Sequence, residues 1–159
     1  VTKDRPLPAN VPAEKAILGA ILLDNALFQE TAVLTPDDFS LDAHRRIYHC
    51  IAQMIERGDS VDPITLVEDM RGSGDLNAVG NMPVAYIADL SADTIRYKQS
   101  VKGWTRIVKA KSLLRQLILC CSQAVKEAYD GGSGFEIISA LKEHIEDIES
   151  AARRGMRKP

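Results

Sequence analysis

Residues 100–152 read SVKGWTRIVKAKSLLRQLILCCSQAVKEAYDGGSGFEIISALKEHIEDIESAA. In the first half, Trp104, Ile107, Lys111, Leu114, Ile118, Cys121, Val125 and Ala128 recur at steps of three and four. After Asp130-Gly131-Gly132-Ser133-Gly134, the pattern resumes in Ile138, Leu141, Ile145, Ile148 and Ala152. That period marks helices that pack along their length. A connection this short returns the second helix antiparallel to the first, and Ser133 with Glu136 has the spacing of a capping box. A second seam, Ala110, Leu113, Leu117, Cys120 and Ala124, runs about 100° round the first helix. So wide a stripe belongs on a helix with neighbours on two sides. One neighbour is the returning helix. The other is the rest of the chain or a second copy.

Working outward, the preceding sequence predicts a bundle of short helices. Pro6 and Pro8 keep residues 1–11 out of a helix, as a flexible arm, disordered or extended. Pro12 suits a helix start, with Glu14 in the first turn facing the positive dipole end, and Ile17, Leu18, Ile21 and Leu22 form its core face. Gly19 suits close helix approach. A second helix is predicted over Ala26 to Leu34, then a turn at Thr35–Phe39 whose aromatic ring plugs the core. In that turn one of Asp37 and Asp38 acts as a cap. Asp42 is expected to cap a helix over Ala43–Arg57 that Gly58 ends. Asp62-Pro63 repeats the start signal, and Gly72-Ser73-Gly74 the stop. A further helix follows Gly80-Asn81-Met82-Pro83, and Ala92–Gln99 leads into the hairpin. Residues 153–159, basic with Gly and Pro, read as the start of a linker. No convincing period-two stretch suggests a strand. The fold class is therefore all-α: a globular subdomain over 12–96 and a long antiparallel hairpin over 97–152.

Composition excludes several functions. The chain has 159 residues, 45% apolar and 26% charged, ordinary for a globular protein. No apolar run approaches the ~20 residues of a membrane span, and no signal peptide is visible. Cys50, Cys120 and Cys121 do not suggest a disulfide framework and read as buried reduced thiols. Residues 1–97 carry 8 basic and 15 acidic side chains, residues 98–159 carry 12 and 7. Lys98, Lys102, Arg106, Lys109, Lys111, Arg115 and Lys126 form a run without an acid, facing a returning helix rich in Glu. A basic helix can track phosphates, so a stand-alone nucleic-acid-binding module using 98–126 is the alternative reading.

A search for chemistry finds no site. There is no phosphate-cradling loop. His44 and His49 lie about 140° apart on a helix and cannot readily share a metal, and His144 stands alone. Nothing supports a nucleophile activated by a base. Catalytic, cofactor-binding and metal residues are therefore none.

Several blocks, taken together, carry a resemblance. They are Leu7-Pro8-Ala9-Asn10-Val11-Pro12-Ala13-Glu14-Lys15-Ala16-Ile17-Leu18-Gly19, Pro36-Asp37-Asp38-Phe39, His44-Arg45-Arg46-Ile47-Tyr48, Asp62-Pro63-Ile64-Thr65, Gly74-Asp75-Leu76-Asn77-Ala78-Val79-Gly80 and Ile107-Val108-Lys109-Ala110-Lys111-Ser112-Leu113-Leu114-Arg115. In this order the chain resembles the N-terminal domain of the DnaB-type bacterial replicative helicases. It departs from the usual pattern at Asn81, Trp104 and Ala110, where a Gly, a Tyr and an acidic residue are usual. The resemblance implies a collar on a hexameric ring, built as a trimer of dimers through neighbouring hairpins. It implies docking of a DnaG-type primase and, in some systems, help with engaging a helicase loader, with DNA passing through the parent ring. It places ATP and Mg in a separate RecA-like motor, in a cytoplasmic, bacterial protein, with no membrane partner. The expected interface residues are Trp104, Ala110, Leu113, Leu114, Leu117, Ile118, Cys120, Cys121, Ile138, Leu141 and Ile145. Of these, Leu113, Leu117 and Cys120 are expected to be covered by the bundle or by another chain, so that Leu117→Asp weakens assembly or folding.

Overall fold

The computed structural model describes residues 5–92 and 100–156. Its elements are α1 (Val11–Leu23), α2 (Asp42–Glu56), α3 (Pro63–Ser73), α4 (Pro83–Ala92), α5 (Val101–Tyr129) and α6 (Gly134–Met156), with short 3-10 turns at Asn25–Thr31, Pro36–Asp38 and Leu76–Val79. No strand occurs among the described residues. The chain divides into a globular unit, residues 10–109, and a second unit formed by the hairpin from residue 110 onward with the arm before residue 10. The expected link between α4 and the hairpin, and Lys98 within it, lie outside the described residues.

In the globular unit α1 is the central helix. Ile17, Leu18, Ala20, Ile21 and Leu22 are all buried, and so is Gly19. A helix apolar on every side belongs inside, and α1 lies against α2 and α4. Val11, not Pro12, is its first residue, and the Asn10 side chain accepts from the Ala13 N–H at 3.0 Å. α3 starts as its sequence predicts. Asp62 accepts from the Ile64 and Thr65 N–H groups at 2.8 and 2.9 Å, and Thr65 Oγ1 accepts from the Asp62 N–H. Gly58 and Gly74 follow α2 and α3 at φ +83°, the left-handed conformation that favours glycine.

Several expectations are corrected. Residues 25–31 form a 3-10 turn, not an α-helix to Leu34. The Thr31 carbonyl accepts from the Leu34 N–H at 2.8 Å, three residues on rather than four, and also from the Tyr48 hydroxyl at 3.1 Å. Asp42 is the first residue of α2 rather than its cap, and its carboxylate takes the Arg46 guanidinium at 2.7 Å. Glu14 does not merely face a helix dipole but is buried. α6 continues to Met156, so Arg153 and Arg154 are helical where a linker was expected. Cys50 is buried as expected, but Cys121 is exposed.

The core between α1, α2 and α3 is apolar, with Phe39 and Tyr48 in contact at 4.7 Å between ring centroids. Polar ties lock it. Asn25 donates to the Ile21 and Val61 carbonyls at 2.8 and 2.7 Å and accepts from the Val61 N–H at 2.8 Å. One amide thus joins the end of α1 to the strand-like entry of α3. The Glu14 carboxylate accepts from the Ser40 N–H at 2.8 Å and meets His44 Nδ1 at 2.6 Å, while His44 Nε2 meets the Tyr86 hydroxyl at 2.6 Å. His44 and Glu14 are both fully buried. A carboxylate, an imidazole and a hydroxyl in line resemble catalytic machinery, but here each end is satisfied within the core, and the arrangement ties α1, α2 and α4 together. Cys50 donates to Asp69 at 3.1 Å, and burial with that neighbour pushes its thiol up to about 12.

The first turns of α5 belong to this unit. Val101 and Val108 are buried, Trp104 packs against the core, and Lys109 Nζ meets the buried Asp38 carboxylate at 2.9 Å. Asp38 also accepts from the Thr35 N–H, the capping role foreseen for this pair of acids.

Two predictions follow from these ties. Asn25→Ala is expected to lose about 2–3 kcal/mol in a denaturant titration, because it strands Val61 groups that water reaches poorly. Asn25→Asp is expected to lose nearly as much, since a carboxylate cannot donate to the two carbonyls. For Glu14, burial pushes the pKa up, but the hydrogen bonds from His44 and Ser40 outweigh it and the value falls below the ordinary 4.5. On acidification the unfolded chain therefore takes the proton first. The stabilisation is present above about pH 4.5 and is lost as the pH falls through the lower folded value. Glu14→Gln is expected to be less stable at pH 7 and to show a flatter acid-side decline. His44→Phe, which leaves a buried carboxylate without its partner, is expected to cost about 3–5 kcal/mol.

Candidate assembly face on the hairpin

Beyond residue 110, α5 and α6 are joined by a tight turn. The Gly132 N–H donates to the Glu127 carbonyl at 3.0 Å, and Gly131 sits at φ +82°. A Cβ at Gly132 would meet the Glu127 carbonyl oxygen and Ile137 Cδ1 at 3.2 Å, so this glycine permits the close return.

The two helices share a hollow of about 170 Å³ lined by Cys120, Ala124 and Glu127 from α5 and by Ile137, Leu141 and His144 from α6, among others. The inner seam is therefore the one that contains Cys120 and Ala124. On α6 it runs through Ile137 and Leu141, and Ile148 is half-buried as well.

The other stripe on α5 is exposed. Leu114 is 45% accessible and Ile118 41%, and Cys121 and Val125 continue the line at the same helical spacing. Leu117 and Leu119 are exposed beside it, and on α6 so are Ile138, at 60%, and Ile145. At the turn, Tyr129 and Phe135 stand almost wholly in solvent. Exposed apolar residues along two long helices make this face the candidate surface for another molecule.

The predicted interface residues thus divide. Leu114, Leu117, Ile118, Cys121, Ile138, Ile145 and Ala110 are exposed, whereas Leu113, Cys120 and Leu141 are half-buried. Trp104 is half-buried against the globular core. Leu117, one of the three residues expected to be covered, is open in the single chain. Sequence reasoning passed over Ile137, although its i, i+4 spacing to Leu141 was a readable signal. It also passed over Tyr129 and Phe135, although they lie four residues after Val125 and three before Ile138.

Three cations of the basic run have partners within the chain. Lys109 is paired with Asp38, Lys102 lies 4.0 Å from Glu30, and Arg115 is buried with a guanidinium nitrogen on the Pro8 carbonyl. Among the described residues no group of His, Cys, Asp or Glu could hold a metal ion, and no helix is long and apolar enough to cross a membrane.

Comparison with known proteins places this architecture. The model of the DnaB-like helicase N terminal domain matches residues 6–110. Replicative DNA helicase DnaB of Geobacillus stearothermophilus is 35% identical over 123 residues, 77% of this chain and 26% of that protein. Replicative DNA helicase DnaC of Bacillus subtilis (strain 168) is 31% identical over 152 residues, 95% of this chain and 31% of that protein. This chain thus spans under a third of the length of these relatives. The crystal structure of the N-terminal domain of DnaB helicase from Mycobacterium tuberculosis superposes with a TM-score of 0.79 at 26% identity, covering 89% of this chain and 99% of that one. A structure of a DnaB-like replicative helicase and its interactions with primase gives 0.69 at 25% identity, covering 89% of this chain and 31% of that one. The chain belongs to the DnaB-like helicase N-terminal domain family.

Proposed function

We propose that this chain assembles and docks rather than catalyses: it is the collar domain of a replicative DNA helicase. Its hairpins pair with those of neighbouring copies, and the resulting collar, a trimer of dimers in the hexameric parent, receives a DnaG-type primase and a helicase loader. Unwinding, with ATP and Mg, is the work of a separate motor domain in such a parent, and the setting is the bacterial cytoplasm. DNA would pass through the ring rather than along the basic run, in which Lys102, Lys109 and Arg115 are engaged within the chain.

The observation that carries this reading is the open stripe Leu114–Ile118–Cys121–Val125 on α5. Apolar area on this scale is costly in water, and a second copy of the same helix offers a surface of matching period. Primase docking is supported by the likeness to a helicase whose interactions with primase have been described structurally.

Because Leu114 and Ile118 are exposed in the single chain, an acid at either site should leave the fold intact, with stability changed by about 0.5 kcal/mol or less. Light scattering across a concentration series is expected to show a mass that rises with concentration for the native chain. Leu114→Asp and Ile118→Asp are expected to hold the mass at the monomer. A native chain that stays monomeric at high concentration, indistinguishable from Ile118→Asp, would overturn the assembly reading. Titration with the C-terminal domain of the cognate primase tests docking separately, with a stable complex expected and an unchanged mass counting against it.

A further inference from the structure

The hollow between α5 and α6 opens away from the exposed stripe. Its lining sets Cys120 with His144 at one end and Glu127 with Ile137 at the other, the register of antiparallel helices. Counted round each helix, the lining residues lie about 140° from Leu114, Ile118, Cys121 and Val125 on α5, and about 120° from Phe135, Ile138 and Ile145 on α6. The rotation has the same sense on both helices. In an antiparallel pair this brings both apolar stripes to one side of the hairpin. Gln123 and Ala140, both exposed, mark the mouth of the hollow on the other side.

Floor and rim differ in chemistry. The floor is Cys120, Ala124, Ile137 and Leu141, and the small side chains of Ala124 and Ala140 leave about 170 Å³ unfilled. An apolar cavity of about 150 Å³ holds a benzene ring, so the hollow has room for one large apolar side chain. The rim is acidic. On α6, Glu136, Glu143 and Asp147 share the helical stripe of Ala140 and are exposed. On α5, Glu127 and Asp130 follow Gln123, whose amide donates to Glu127 at 2.7 Å. None of these carboxylates has an ion-pair partner among the described residues. Of the cations on this side, Lys126 lies beside them and Arg154 two turns beyond Asp147. An apolar pit ringed by unpaired carboxylates repels nucleic acid and complements lysine and arginine.

We propose that this face of the hairpin is a docking site for a cationic segment of another protein. The segment seats one side chain of leucine or phenylalanine size in the hollow and sets its lysines or arginines against Glu136, Glu143 and Asp147. The inference rests on the reading that the hairpin receives other proteins, but not on self-pairing, which uses the opposite side.

The probe is a short lysine-rich peptide with one central phenylalanine, titrated into the native chain and followed by nuclear magnetic resonance. Amide shifts are expected at residues 120–127 and 137–147, and not at Leu114 or Ile118 or in α1–α4. The same peptide with alanine in place of phenylalanine is expected to bind about tenfold more weakly. Glu143→Lys combined with Asp147→Lys changes two exposed side chains, which the fold tolerates. That chain is expected to bind the peptide about tenfold more weakly at low salt, while its self-association in light scattering matches the native chain. Absence of binding, equal affinity for the two peptides, or shifts confined to the Leu114–Val125 stripe would overturn the proposal. So would unchanged binding to the doubly substituted chain, whose carboxylates would then be bystanders.

Discussion

A helix can bury only one side of itself against one neighbour, and α5 carries apolar residues on more sides than one neighbour can serve. At its start, Val101, Trp104 and Val108 meet the globular core. Further along, Cys120 and Ala124 share the hollow with Ile137 and Leu141 of α6. The stripe through Leu114, Ile118, Cys121 and Val125 stays exposed. Everything proposed for the function of this domain rests on that surplus of apolar surface.

The globular unit gives the long helix a firm root. Its core is sealed by side chains that must be placed correctly or cost stability: Asn25 bridging α1 and the entry to α3, Glu14 and His44 reaching Tyr86, and Asp38 holding Lys109 at the last residue of the unit. Buried charged groups of this kind add less net stability than apolar packing of equal volume, and their partners tolerate little change.

Much of this was legible in the sequence, because helix ends are governed by local chemistry. Asp62, Pro63 and Thr65 announce α3, and Gly58 and Gly74 announce two stops. The all-α class and the hairpin follow from periodicity alone. What escaped depends on distant partners. His44 reads as an isolated histidine until Glu14 and Tyr86, far from it in sequence, close on it. Asn25 bears no periodic or capping signal, though it is a three-bond tie. In the hairpin both α5 stripes were visible, but which one meets α6 depends on how the helices meet. On α6 the difference between Ile137 and Ile138 is one residue, or about 100° of rotation, enough to exchange the inner side for the outer.

The most direct test uses a thiol already on the surface. Cys121 lies in the exposed stripe, whereas Cys50 is buried with its thiol pushed up to about 12 and is a poor nucleophile at neutral pH. The rate at which a thiol reagent modifies Cys121, resolved by mass spectrometry at a series of protein concentrations, reports whether another copy covers that face. A rate that falls steadily as protein concentration rises is the predicted result. A rate that is fast and the same at every concentration would mean that the stripe stays bare, and would contradict self-assembly through the hairpin.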